Sequence, residues 1–122
     1  MYQEGYKNIT NIDFSEIVVE DMQLKYKTEG YDSSLECMVL GDCLDFYGDV
    51  RTMSDFENET FDCVIDKGLL DSMLVSDSLM QCGTYSKQNS KKMLREISRV
   101  LKNKGVYICI SYGDPDIRNH YF

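Results

Sequence analysis

The chain has 122 residues, a net charge of −8, 43% hydrophobic residues and five cysteines. That length suits one domain burying roughly two thirds of the surface its unfolded chain exposes, so no staple is required. No apolar run approaches the ~18 residues of a membrane-spanning helix, and the acidic balance argues against a nucleic-acid surface. The acids are spread along the chain and read as solvated surface, although their field also permits a basic protein partner. Met1-Tyr2-Gln3-Glu4-Gly5 is neither the basic segment nor the apolar core of a secretory signal, so the expectation is a soluble cytoplasmic protein with no membrane contact. Cys37, Cys43, Cys63, Cys82 and Cys109 are odd in number and lack C-x-x-C spacing, which predicts neither a disulfide framework nor a metal site. Cys37, Cys63 and Cys109 fall in apolar runs and are expected to pack as small hydrophobes.

Residues 8 to 13, Asn-Ile-Thr-Asn-Ile-Asp, predict a strand ending at Asp13. Ser15 is a good N-cap, Glu16 suits the first helical turn, and Val18, Val19, Met22 and Tyr26 recur at helical spacing to about Lys27. Gly30 ends that helix. Leu35 to Leu40 reads as a second strand closed by Gly41-Asp42, and residues 43 to 60 are polar and irregular. Phe61 to Asp66 reads as a third strand. Its consecutive Cys63, Val64 and Ile65 suggest a parallel strand covered on both faces. Leu69, Leu70, Met73 and Leu74 predict a turn or two of helix, and residues 75 to 86 carry little signal. Met93, Leu94, Ile97, Val100 and Leu101 form a helical stripe, placing a helix at about Lys87 to Lys102 that stops near Asn103 and Gly105. Val106 to Ser111 predicts a fourth strand, and Tyr112-Gly113-Asp114-Pro115 a turn.

Alternating strands and helices argue for an α/β protein, a single domain over 1–122, with a mainly parallel sheet and helices on its faces. Ligands in such sheets sit outside the carboxyl ends of the strands. That rule selects Asp13, Asp42, Asp66 and Ser111. A carboxylate at Asp13 can accept from ribose hydroxyls, or serve the helix entry with Ser15. Asp42 can accept from an adenine amino group, or belong to a β-turn. Asp66 is placed to face a reacting centre, and Gly68 permits close backbone approach. Lys67 reads as a surface residue, a salt-bridge partner or a substrate contact. His120, the single histidine, is given no role.

Residues 61 to 71, Phe-Asp-Cys-Val-Ile-Asp-Lys-Gly-Leu-Leu-Asp, resemble a motif of the class I S-adenosylmethionine-dependent methyltransferases. The group concerned contains the elongation factor 1-alpha lysine methyltransferases and their endothelin-converting-enzyme-2-like relatives. Residues 94 to 102 followed by Gly105 resemble a helix-to-strand motif found throughout the class. Asn11-Ile12-Asp13-Phe14-Ser15 and Gly41-Asp42 resemble the ribose and adenine motifs, and Ser111 to Pro115 the segment after the fifth strand.

The resemblance implies an incomplete Rossmann-like methyltransferase fold, lacking the family's first strand, with its glycine-rich cofactor loop, and its last two strands. Met1 to Glu4 would be the tail of the helix after that loop. The implied function is methyl transfer from S-adenosylmethionine, with S-adenosylhomocysteine as product, to an amine, by analogy a protein lysine. Asp13, Phe14, Asp42, Cys43 and Asp66 would bind cofactor, while Asp66 and Lys67 would orient the substrate. A chain without the glycine loop is expected to hold cofactor weakly or not at all, and to close its strands across the gap, pair as a homodimer through exposed sheet edges, or order poorly. A non-catalytic Rossmann-like interaction module is the alternative; a nicotinamide-dependent oxidoreductase is disfavoured by Gly41-Asp42 and by Asp66-Lys67-Gly68.

Overall fold

The computed structural model describes residues 1–13, 15–30, 35–39, 50–79 and 83–121. The chain divides into two compact units, Met1–Asp49 and Val50–Phe122. In the first, a short 3-10 turn at Tyr2–Glu4 precedes strand β1 (Ile9–Asp13), helix α1 (Glu16–Thr28) and strand β2 (Leu35–Val39). β1 and β2 pair in parallel, from Ile9 opposite Leu35 to Asp13 opposite Val39. Ser15 caps α1 as its sequence predicts: its hydroxyl accepts from Val18 N at 3.4 Å, and its own N–H donates to Asp13 Oδ1 at 2.8 Å. Gly30 follows the C-cap with φ +74, a conformation that costs glycine little. Of the expected α1 stripe, Val19 is buried, Met22 and Tyr26 are half-buried and Val18 is exposed.

The second unit contains β3 (Phe61–Lys67), α2 (Leu69–Leu79), α3 (Gly83–Val100), β4 (Leu101–Ile110) and the short α4 (Pro115–Arg118). β3 and β4 pair in parallel, with Cys63 opposite Val106 and Lys67 opposite Ile110. Among the described residues the strands pair as β1 with β2 and β3 with β4, both in parallel as expected. Alternation along the chain specifies parallel pairing but leaves the choice of neighbour open.

Met53, Leu70, Met93, Ile97 and Val100 form the core of this unit, flanked by Val64, Tyr107 and Cys109. Three of the five come from the α3 stripe read in the sequence, and buried Ser90 extends it by one turn. The opposite sheet face is open: Ile65, Val106, Ile108 and Ile110 are all exposed. The expectation that β3 is covered on both faces is therefore corrected, and so is core packing for Cys63, which is exposed on that outer face. Cys109, on the helix-facing side, is half-buried. Side chains of successive strand residues point to opposite faces, so one face can be packed and the other bare.

Arg99 ties the segment ahead of β3 to α3. Its guanidinium donates to Met53 O at 2.9 Å, Phe56 O at 2.8 Å and Asn58 Oδ1 at 3.0 Å, while pairing with Glu96 at 2.8 Å. The hydrogen bond to Glu96, and the charge of that carboxylate, raise the Arg99 pKa further against the opposing effect of burial. The planar fork of arginine suits such a multidentate role. No described helix is long and apolar enough to cross a membrane.

Candidate functional site

At the carboxyl end of β3, Asp66 is 4% exposed. Its Oδ1 accepts from Leu69 N at 2.7 Å, and its Oδ2 from Leu70 N at 3.1 Å and Tyr107 OH at 2.8 Å. The first two bonds satisfy N–H groups at the start of α2, which have no partner within the helix. The third fixes the phenol of β4 against β3. Burial raises the Tyr107 pKa, and the bond to Asp66 raises it further. Burial likewise pushes the neighbouring Cys109 thiol up.

The next residues make the turn from β3 into α2. Gly68 N donates to Ile110 O at 2.9 Å, extending the ladder by one bond. Gly68 then adopts φ +80, with nothing within 4 Å of where a Cβ would stand. Glycine is thus favoured here by its backbone angle. Lys67 is exposed.

A second carboxylate joins α2 to the loop after β4. Asp71 Oδ1 accepts from Ser111 Oγ at 2.5 Å and from Arg118 Nη2 at 2.7 Å, and its Oδ2 from Tyr112 N at 2.6 Å. Ser111 Oγ also accepts from Gly113 N at 3.1 Å and Arg118 Nε at 3.0 Å. The Ser111 hydroxyl, then the Tyr112 N–H and the Arg118 guanidinium, hold the Asp71 carboxyl below the usual carboxylate range against the opposing effect of burial. Asp114 caps α4 by accepting from Asp116 N at 2.8 Å, and Pro115 occupies the first turn.

Of the residues expected at the site, Asp66 and Lys67 lie together at the end of β3, and Ser111 just beyond β4. Asp13 ends β1 in the other unit. It is half-buried, its Oδ1 takes the Ser15 N–H, and among the described residues its Oδ2 has no further partner. Phe14, Asp42 and Cys43 lie outside the described residues. Asp71, Tyr107 and Arg118 were not singled out in the sequence. Asp71 closes the motif at 61–71 and could have been noticed there, whereas Arg118 stands in a four-residue helix too short to leave a periodic signal.

Residues 1–109 match the family described as the methyltransferase domain. The human eEF1A lysine and N-terminal methyltransferase is 32% identical over 117 residues, covering 96% of this chain and 14% of its own length. The mouse EEF1A lysine methyltransferase 4 is 30% identical over 123 residues, covering 99% of this chain and 44% of its own length. The bovine protein of the same name is 26% identical over 119 residues, covering 97% and 42%. The chain thus spans less than half the length of each of these relatives. With the family match covering residues 1–109 of 122, the chain belongs to the methyltransferase domain family.

Proposed function

We propose that this chain is the core of a class I methyltransferase domain that takes S-adenosylmethionine and methylates a lysine amine of a protein. The observation that carries the reading is the family match over residues 1–109, joined by relatives named as lysine methyltransferases. Asp13 suits one part of the cofactor. Its Oδ1 is anchored by Ser15 N at 2.8 Å, which leaves Oδ2 for a ribose hydroxyl at the carboxyl end of a parallel strand. Phe14, Asp42 and Cys43 join Asp13 as cofactor-binding residues in this proposal. S-adenosylmethionine, when bound, supplies a methyl group on a sulfonium.

The chain's own work is alignment and exclusion of water. Within this proposal Asp66 serves as a positioning residue. Its buried carboxylate already accepts from Leu69 N, Leu70 N, Tyr107 OH and Cys109 Sγ, and it acts by fixing the Lys67–Gly68 turn. This resolves a difficulty, because a bare carboxylate beside the acceptor would favour its ammonium form. Lys67, exposed at the same strand end, has the opposite influence: a second cation nearby disfavours the ammonium and assists the neutral amine.

Thermal denaturation with and without S-adenosylhomocysteine tests the cofactor reading. A ligand at a hundredfold its dissociation constant raises stability by about 2.7 kcal/mol, and Asp13→Ala should reduce that gain. No stabilisation at any concentration would favour a non-catalytic interaction module instead.

A further inference from the structure

The loop after β4 is fixed in unusual detail for a segment with so little to pack. Asp71 and Arg118 pair at 2.7 Å with side chains only 18% exposed each. Ser111 lies between them, and the backbone N–H groups of Tyr112 and Gly113 are both captured. Yet the one large side chain this clasp presents, Tyr112, is 102% exposed. Among the described residues its ring touches nothing. Val106, Ile108, Ile110 and Tyr112 alternate along the strand and its extension, so the ring continues an exposed apolar row. Lys67 pairs in register with Ile110, two residues before it. The ring therefore stands at the carboxyl end of both strands, where ligands of such sheets gather.

We propose that Tyr112 is the platform on which the acceptor's lysine side chain lies, and that Asp71, Ser111 and Arg118 are positioning residues that hold its backbone in place. This rests on the reading of an amine-methylating domain and names its acceptor contact. An aromatic face accommodates the methylene stem of a lysine side chain by apolar contact and attracts the arriving ammonium to its negative face, while the neutral amine that reacts keeps the stem contact. A fixed backbone lowers the ordering cost of that contact. The half-buried ion pair is then explained by what it immobilises.

The test is binding of Nα-acetyl-lysine amide to the whole chain, followed by proton NMR of the probe's ε-methylene, with Nα-acetyl-alanine amide as control. Ring current should move the ε-methylene signal upfield with the wild-type chain and with Tyr112→Phe. With Tyr112→Leu the shift should vanish and affinity fall by about two- to fivefold. Asp71→Asn should shrink the shift with the ring still present. Because Tyr112 is fully exposed, its variants retain the fold and decide the matter even if Asp71→Asn unfolds. An absent wild-type shift, or an equal one in Tyr112→Leu, overturns the proposal. The assay needs no cofactor, so its failure is distinct from failure to bind S-adenosylhomocysteine.

Discussion

Asp66→Ala would remove a single acceptor shared by Leu69 N, Leu70 N and Tyr107 OH. Losing a helix cap costs about 0.5–2 kcal/mol, and stripping a partner from a buried polar group about 1–3 kcal/mol. Since the groups share one network, the combined loss should be about 2–4 kcal/mol rather than the full sum. With a urea slope of about 1–3 kcal/mol per molar, the midpoint should fall by roughly 1–2 M. Tyr107→Phe removes only one of the bonds to Asp66 and should cost about 0.5–1.5 kcal/mol. Combining the two changes should then cost less than their sum.

A second readout has a definite sign. Burial and Asp66 raise the folded pKa of Tyr107. The corresponding stability is present below the unfolded phenol value of about 10 and is lost as pH climbs above it. In Asp66→Ala the part due to Asp66 disappears, so Tyr107, followed by ring-labelled NMR, should ionise at lower pH than in the wild type. An Asp66→Ala variant within about 0.5 kcal/mol of wild type, with Tyr107 ionising unchanged, would refute the network described.

Asp71 titrates in the opposite sense. Its lowered folded pKa contributes stability above its ordinary value of 3.8, which is lost as pH falls through the folded value, so Asp71→Asn should flatten the acid limb of a stability–pH curve. Gly68→Ala should cost about 1–2 kcal/mol through its φ of +80 alone. Gly105→Ala should cost about 1–3 kcal/mol, because its Cβ would stand 2.9 Å from Lys102 O and 3.0 Å from Leu101 Cδ2; urea midpoints check both. Arg99→Lys should lose bonds to Met53 O, Phe56 O or Asn58 and speed amide exchange in residues 50–60. By contrast, Lys102→Ala should change stability by no more than about 0.5 kcal/mol, since its pair with Asp62 is exposed to solvent.

The elements with strong local signals were legible in the sequence. Ser15 with Gly30 bracketed α1, and the stripe Met93, Ile97 and Val100 located α3 and its buried side. The true start of α3 at Gly83 was missed, because its polar first turns carry no apolar period. α2 runs to Leu79, beyond the two turns read, through a stretch with little amphipathic contrast. Asp66 was legible as a strand-end carboxylate, but its protein partners were not. Position at a strand end says that a carboxylate faces the ligand side, whereas its saturation by Leu69, Leu70 and Tyr107 depends on contacts with a helix and a strand up to 41 residues away. The Asp71–Arg118 pair was similarly hidden, being separated by 47 positions.

The irregularity in the β3–β4 ladder carries a further consequence. Regular pairing lapses between Phe61 opposite Leu101 and Cys63 opposite Val106, and the skipped stretch contains Lys104 at φ +70. This interruption sets the phase of everything downstream, because a slip of one residue exchanges the two faces of a strand. Two interleaved words are written along β4, Val106-Ile108-Ile110 and Tyr107-Cys109-Ser111, and four residues upstream decide which is turned toward the helices. Deleting one residue between Lys102 and Gly105 would offer the wrong word to the interior and strand Asp66 without its phenol.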